Sequence, residues 1–113
     1  MKGKIIWMPH AGHFIRGERC QFRLNTYVNG YIVSTVGEFV SSIKPTDAPF
    51  QNIGSNRLYE TMVFHAKRSE HKCCPYRAMT GTDLDSAGYN EADAACKGHL
   101  EMVKKWSRKR VRP

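Results

Sequence analysis

Hydrophobic and polar residues alternate between Cys20 and Phe39, and the dipeptide Asn29-Gly30 divides this segment into two runs rich in β-branched and aromatic residues. A two-residue Asn-Gly loop favours a type I′ hairpin turn, because both of its positions need positive φ. The turn sets a register in which one face would be the core face and the other would be less buried. The predicted core face pairs Phe22, Leu24, Thr26 and Val28 with Gly37, Thr35, Val33 and Tyr31.

Shorter hydrophobic runs predict two further strands, from Lys4 to Met8 and from Leu58 to Ala66. Proline, glycine and polar residues predict a loop from Ser41 to Arg57. The segment from Lys67 to Gly88 shows little periodicity, so we expect it to be irregular.

Apolar residues at helical spacing indicate a final helix from about Glu91 to Arg108. Asn90 is its predicted N-cap, and Glu91 and Asp93 place negative charge in the first turn. Gly98 lies inside this helix at a cost of roughly 1 kcal/mol relative to alanine, which a close approach of helix and sheet would explain. The predicted apolar stripe consists of Ala92, Ala95, Cys96, His99, Leu100, Val103 and Trp106.

Strands followed by one amphipathic helix predict an α+β fold, in which an antiparallel sheet of about four strands contains the Asn-Gly hairpin and is covered by the C-terminal helix. The 113 residues, 41% hydrophobic and 25% charged, fit one domain. We predict this domain at residues 1–107 and a basic tail at residues 108–113. No run approaches the ~20 apolar residues of a membrane helix, and no signal peptide is recognisable, so a cytosolic protein without membrane contact is expected.

The positive charge is concentrated near the C-terminus. Six cations fall within the last ten residues, and without them the net charge drops from +8 to +2. Such a segment can bind phosphate groups, or it can be a solvated helix end whose cations complement the helix dipole. Arg23 and Tyr27 share a hairpin face, and basic residues near aromatic ones suit single-stranded nucleic acid. The candidate nucleic-acid-binding residues are Arg23, Tyr27, Lys104, Lys105, Arg108, Lys109, Arg110 and Arg112.

Four cysteines and five histidines give the chain many soft-metal ligands. His10 and His13 lie three apart, as do Cys96 and His99 on the predicted helix, and zinc usually takes four such ligands in a tetrahedron. These four residues are therefore a candidate zinc site. Ligand frameworks such as Cys-x-x-Cys and His-Glu-x-x-His are absent from the sequence. The alternative is that Cys96 and His99 are ordinary core residues and that the protein has no cofactor.

The vicinal cysteines Cys73 and Cys74 are the candidate nucleophiles, because the neighbouring His71 and Lys72 would favour a reactive thiolate. In a reducing cytosol these two residues, like Cys20 and Cys96, are expected to be thiols or ligands instead of disulfides. A Gly-rich phosphate loop, a Gly-x-Ser-x-Gly motif and paired carboxylates are missing from the sequence, which argues against a conventional hydrolase.

Segments spread over most of the chain carry a family resemblance. They are Trp7–Phe14, Tyr31–Glu38, Gly54–Ala66, Gly88-Tyr89-Asn90 and Gly98-His99-Leu100. Together they resemble a family of small proteins of tailed bacteriophages and prophages that has no established activity. In such proteins the stretch before the Tyr-Glu-Thr-Met strand is often longer, and some have a cysteine where this chain has Arg16. The resemblance implies a phage accessory protein in the cytoplasm of a bacterial host.

The leading hypothesis is a phage-encoded accessory protein that acts as a non-catalytic binding module on a host or phage macromolecule. The expected partner is a host or phage protein, and nucleic acid is a further partner through the basic C-terminus. The second hypothesis is a zinc-stabilised nucleic-acid-binding module, and the third is a small metal- or thiol-dependent enzyme.

Overall fold

The computed structural model describes residues 5–9, 20–39, 57–70, 72, 74–79 and 82–109. These residues form an antiparallel sheet of six strands and one helix, which confirms the α+β class but exceeds the predicted number of strands. None of the described helical residues belongs to a helix with the length and apolar character needed to cross a membrane. The elements are β1 (Ile5–Met8), β2 (Cys20–Val28), β3 (Tyr31–Phe39), β4 (Tyr59–Arg68), β5 (Tyr76–Ala78), β6 (Asp85–Tyr89) and α1 (Ala92–Ser107).

The strands follow one another in the order β1-β2-β3-β4, and the free edge of β4 pairs first with β6 and then, further along, with β5. The hairpin has the predicted register, with Val28 opposite Tyr31, and Asn29 and Gly30 have φ values of 55° and 90°. Both β5 and β6 fall in the segment that the sequence predicted to be irregular. They are short, and β6 consists largely of small and polar residues, so pairing with β4 imposes the strand conformation.

Helix α1 packs on one face of the sheet, which we call the helix face. Val28, Val33 and Val63 are fully buried there and contact Met102 and Val103 of α1, as the predicted core face requires. We call the opposite face, which carries Tyr27 and Ile32, the ribbon face, because the two-stranded ribbon of β5 and the end of β4 folds over it.

The prediction that the ribbon face is less buried is wrong for β3, where Ile32, Ser34 and Val36 have no exposed surface, whereas Arg23 of β2 is exposed. At one end of this face Tyr27 of β2 stacks on Tyr76 of β5, with 3.8 Å between ring centroids, although β3 and β4 separate their strands in the sheet. The ribbon formed by β5 and the end of β4 therefore folds over this face.

The helix has nearly the predicted bounds but a different buried stripe. Its buried residues are Ala95, Gly98, His99, Met102, Val103 and Ser107. Leu100 is 54% exposed and Cys96 is also exposed, so the predicted stripe was rotated relative to the true one. Gly98 permits the expected close approach, since a Cβ atom on it would lie 2.8 Å from Cε1 of Tyr89.

The predicted N-cap of α1 is also wrong. Glu91 occupies the N-cap position and makes no side-chain capping bond. The Asn90 side chain instead accepts a hydrogen bond of 3.0 Å from the backbone N–H of Leu58, which ties the helix entrance to the start of β4.

Candidate nucleic-acid interface

Three segments meet at one end of the molecule: the Asn29-Gly30 turn, the C-terminus of α1 and the β4–β5 ribbon. The backbone N–H of Ala66 donates a 2.9 Å hydrogen bond to the carbonyl of Gly30, so β4 continues past the turn from Lys67 onward. The Asn29 side-chain amide donates to the carbonyl of Lys109, just beyond the helix, which fixes α1 beside the same turn. We call this region the basic end. Its cations are Lys67, Arg68, Lys72, Arg77, Lys104, Lys105, Arg108 and Lys109.

The ribbon contributes a pair of like charges. Lys67 lies directly opposite Arg77 in the β4–β5 register, and both side chains are exposed. Neither has a carboxylate within ion-pair distance among the described residues. Like charges directly opposite each other destabilise a sheet. This arrangement thus costs stability in the unbound protein and would be relieved by an anion.

Arg68 lies on the other side of the ribbon, where it packs on an aromatic ring. Its guanidinium carbon is 5.5 Å from the centroid of the Tyr76 ring, and its Nη1 donates a 3.4 Å hydrogen bond to the Tyr76 hydroxyl. Lys67 and Arg77 alternate with these residues along their strands, so they point away from the aromatic stack and outward.

The helix end contributes four more exposed cations, of which one is neutralised. Lys105 forms a 2.7 Å ion pair with Asp85 of β6, and the Trp106 indole N–H donates to the same carboxylate oxygen at 3.0 Å. Burial alone would raise the pKa of Asp85, but these two hydrogen bonds, a third from the Ser86 backbone N–H and the charge of Lys105 together lower it. The charges of Lys104, Arg108 and Lys109 have no such counterion among the described residues.

The described carboxylates are distributed unevenly between the two ends. Near the basic end lie Glu70, Asp83, the paired Asp85 and, one helical turn before Lys104, Glu101, against eight cations, whereas Glu38 and Glu60 lie away from it. Glu91 and Asp93 lie at the start of α1, and thus at the opposite end of the molecule. The described part of the protein is therefore electrically polar along the axis of the helix.

Aromatic rings at the basic end are packed against one another. Tyr27 and Tyr76 stack nearly parallel, with 14° between their planes. Burial, followed by the neighbouring Tyr76, raises the pKa of Tyr27. Tyr31 is buried between His65, at 5.6 Å between ring centroids, and Trp106, at 4.7 Å.

The structure brings together only part of the predicted nucleic-acid-binding set. Lys104, Lys105, Arg108 and Lys109 lie at the basic end and Tyr27 lies close to it, but stacked on Tyr76. Arg23 is exposed and shares a face with Tyr27 as predicted, yet it lies opposite Val36, away from the turn. Arg110 and Arg112 lie outside the described residues.

The sequence prediction missed the ribbon cations. Lys67, Arg68, Lys72 and Arg77 all lie in the segment that was expected to be irregular. Four cations against Glu70 within eleven residues were a signal in the sequence. Their importance depended on a strand pairing that the sequence did not reveal.

His99, one of the four candidate zinc ligands, lies on α1 and is fully buried between the helix and the sheet. There it forms hydrogen bonds with threonine side chains. Its Nε2 lies 2.9 Å from the Thr26 hydroxyl and its Nδ1 lies 2.7 Å from the Thr35 hydroxyl, which contacts the Thr61 hydroxyl at 2.6 Å. Burial lowers the pKa of His99 to about 4, so the imidazole is neutral at pH 7. Both ring nitrogens are occupied, and binding a metal would require breaking one of these bonds.

Of the other three candidate ligands, Cys96 alone belongs to the described residues. Cys96 is exposed and does not share the buried face of His99, contrary to the predicted stripe. His10 and His13 lie outside the described residues. Within the ranges that are described, no group of three or more His, Cys, Asp and Glu side chains could hold a metal ion.

No protein-family model matches this chain, and no match is found among curated proteins or solved structures.

Proposed function

We propose that the protein is a non-catalytic binding module whose basic end holds the phosphate backbone of a nucleic acid. The observation that carries this proposal is the exposed Lys67–Arg77 pair beside the cationic end of α1. A helix dipole explains cations at a helix C-terminus, but it does not explain two like charges facing each other on a neighbouring ribbon. A polyanion would stabilise both groups at once.

Binding of this kind is driven by the release of counterions from the phosphates. About five phosphate contacts would give a log–log salt slope of about −4.5 on duplex DNA, so affinity would fall roughly 500-fold between 50 and 200 mM salt. The cations come from two elements that the Asn29-Gly30 turn fixes next to each other. The interface is therefore pre-organised, which limits the entropy lost on binding.

The phage context is a separate part of the proposal. From the sequence resemblance alone, we propose that the module is a phage accessory protein in the cytoplasm of a bacterial host. An acidic host or phage protein would offer carboxylates to the same cations, and we treat it as an outcome of the test. The proposal requires neither a bound metal nor a reactive thiol.

Fluorescence anisotropy with labelled 20-nucleotide DNA and RNA, single-stranded and duplex, tests the proposal. We expect the variant Lys67→Ala/Arg77→Ala to weaken binding at 100 mM salt by about 10- to 100-fold and to reduce the salt slope by about two. The matched control Arg23→Ala/Lys97→Ala removes two exposed cations away from the basic end and should change affinity less than threefold.

Two results would refute the proposal. One is the absence of binding to every nucleic acid at 50 mM salt, and binding of an acidic protein or polyglutamate under the same conditions would identify the alternative partner. The other is equal weakening by the ribbon variant and its control, because affinity would then follow net charge and not the basic end.

A further inference from the structure

We infer that the nucleic acid held by the basic end is a duplex, contacted along its phosphates without stacking of bases. This inference rests on the proposed function and names its ligand class. It follows from two observations. The tyrosine and tryptophan rings at the basic end are packed within the protein, and the cations lie in two separate groups.

Single-strand-binding surfaces offer exposed aromatic faces on which bases stack. At the basic end the tyrosine and tryptophan faces are engaged inside the protein, and the exposed His65 ring lies beside Tyr31 at 5.6 Å. Tyr27 and Tyr76 each cover one face of the other at 3.8 Å. Tyr31 is 9% exposed, and the Trp106 ring has the edge-to-face Tyr31 ring and the Lys109 ammonium, 5.2 Å from its centroid, as neighbours.

Among the described tryptophan, tyrosine and phenylalanine side chains, Trp7 is the most open, with 51% of its surface exposed. It lies on β1, at the far edge of the sheet from the β4–β5 ribbon, where its ring is 5.4 Å from that of His99. Three strand spacings separate β1 from β4, or roughly 14 Å. Trp7 is also level with Val63 in the sheet register, four residues before Lys67, so a base stacked on Trp7 would be remote from Lys67.

The cations instead form two groups, one on each side of the hairpin turn. Lys67 and Arg77 lie on the ribbon, and Arg108 and Lys109 lie at the end of α1. A duplex presents two phosphate backbones across a groove, so it can engage both groups while its bases stay paired. β-Ribbons and helices are the elements that enter duplex grooves in known complexes.

The higher charge density of a duplex predicts that the basic end binds a duplex more tightly than a single strand. Each phosphate contact contributes about 0.9 to the salt slope on duplex DNA and about 0.7 on a single strand. For about five contacts the two salt slopes differ by about one unit, so if both ligands bind equally at 1 M salt, the duplex is favoured about tenfold at 100 mM.

Competition between a labelled 20-base-pair duplex and an unstructured 20-nucleotide strand tests the inference on the full chain. We expect the duplex to bind about tenfold more tightly at 100 mM salt, with a steeper salt slope. The variant Trp7→Leu, which removes the open aromatic face but keeps an apolar side chain, should leave both affinities within twofold.

Equal or tighter binding of the single strand would overturn the duplex inference and leave the proposed function intact. A loss of single-strand affinity in Trp7→Leu would overturn it as well, because it would identify a stacking platform. Failure of both nucleic acids to bind would instead overturn the proposed function itself.

Discussion

Acidification should weaken the attachment of the helix to the sheet, because a neutral histidine forms the centre of that contact. His99 has no exposed surface, and its two ring nitrogens bond to the hydroxyls of Thr26 and Thr35. Burial lowers its pKa from the ordinary 6.5 to about 4, and no neighbouring charge contributes to this shift. Protonation would place an unpaired charge between α1 and three strands.

The direction of the pH effect follows from where the proton binds. Between pH 6.5 and about 4 the unfolded chain takes up a proton at His99 while the folded chain does not. The stabilisation is therefore complete above pH 6.5, declines as the pH falls, and is lost by about pH 4. The difference between the two pKa values corresponds to about 3 kcal/mol, a large part of the ~5–15 kcal/mol that stabilises a typical domain.

Urea unfolding at several pH values between 7.5 and 4, on the wild type and on His99→Gln, measures this effect. Glutamine can donate and accept hydrogen bonds but does not titrate, so the wild type should lose about 3 kcal/mol more than the variant. Asp85 cancels in the comparison because both proteins contain it. Its lowered pKa in the folded protein makes its contribution to stability fall equally in both as the unfolded carboxyl takes up a proton near 3.8.

The exposed His65 is present in both proteins and cancels in the comparison. Parallel pH profiles for the two proteins would refute the reasoning. If His99→Gln does not fold, an NMR titration of the His99 ring in the wild type decides the question, and a pKa near 6.5 would contradict the burial argument.

Three further predictions concern single side chains. Gly98→Ala should destabilise the protein by about 1–3 kcal/mol in thermal unfolding, despite its better helix propensity, because the new Cβ would overlap the Tyr89 ring; a gain in stability would contradict this packing. Burial and a hydrogen bond to a glutamate raise the pKa of Tyr59 to about 12, so absorbance at 295 nm should show one tyrosine titrating near pH 12 in the wild type and not in Tyr59→Phe. Arg77→Glu should raise stability by about 0.2–1 kcal/mol, since it converts the like-charge pair with Lys67 into an attractive one, while anisotropy shows weaker nucleic-acid binding; unchanged stability would mean that the pair is not strained.

Much of the fold could be predicted because it depends on local signals. The Asn29-Gly30 turn sets the β2–β3 register through backbone geometry, and the apolar spacing gives the bounds of α1 nearly to the residue. The rotation of α1 could not be predicted from hydrophobicity alone. Cys96 and Leu100 are more apolar than Gly98, yet Gly98 is buried because the tertiary contact with Tyr89 requires a small residue.

The candidate site was only half predictable, for a similar reason. The cations at the end of α1 form a dense run in the sequence, whereas Lys67 and Arg77 are ten positions apart and become neighbours only through the β4–β5 pairing. The partner of Tyr27 is Tyr76, which is distant in the chain, so an aromatic residue expected to meet bases is instead engaged within the protein.

A buried histidine and a pair of facing cations are both unusual for their positions in this fold. They differ in whether the described structure compensates them. The buried imidazole of His99 finds its hydrogen-bond partners inside the protein, in Thr26 and Thr35, so its role is structural. The exposed charges of Lys67 and Arg77 find no counterion among the described residues. Residues that go against local structural preferences, and that no other part of the protein compensates, are expected at functional or strained sites. Under the proposed function, Lys67 and Arg77 are therefore the residues whose replacement should affect binding most directly.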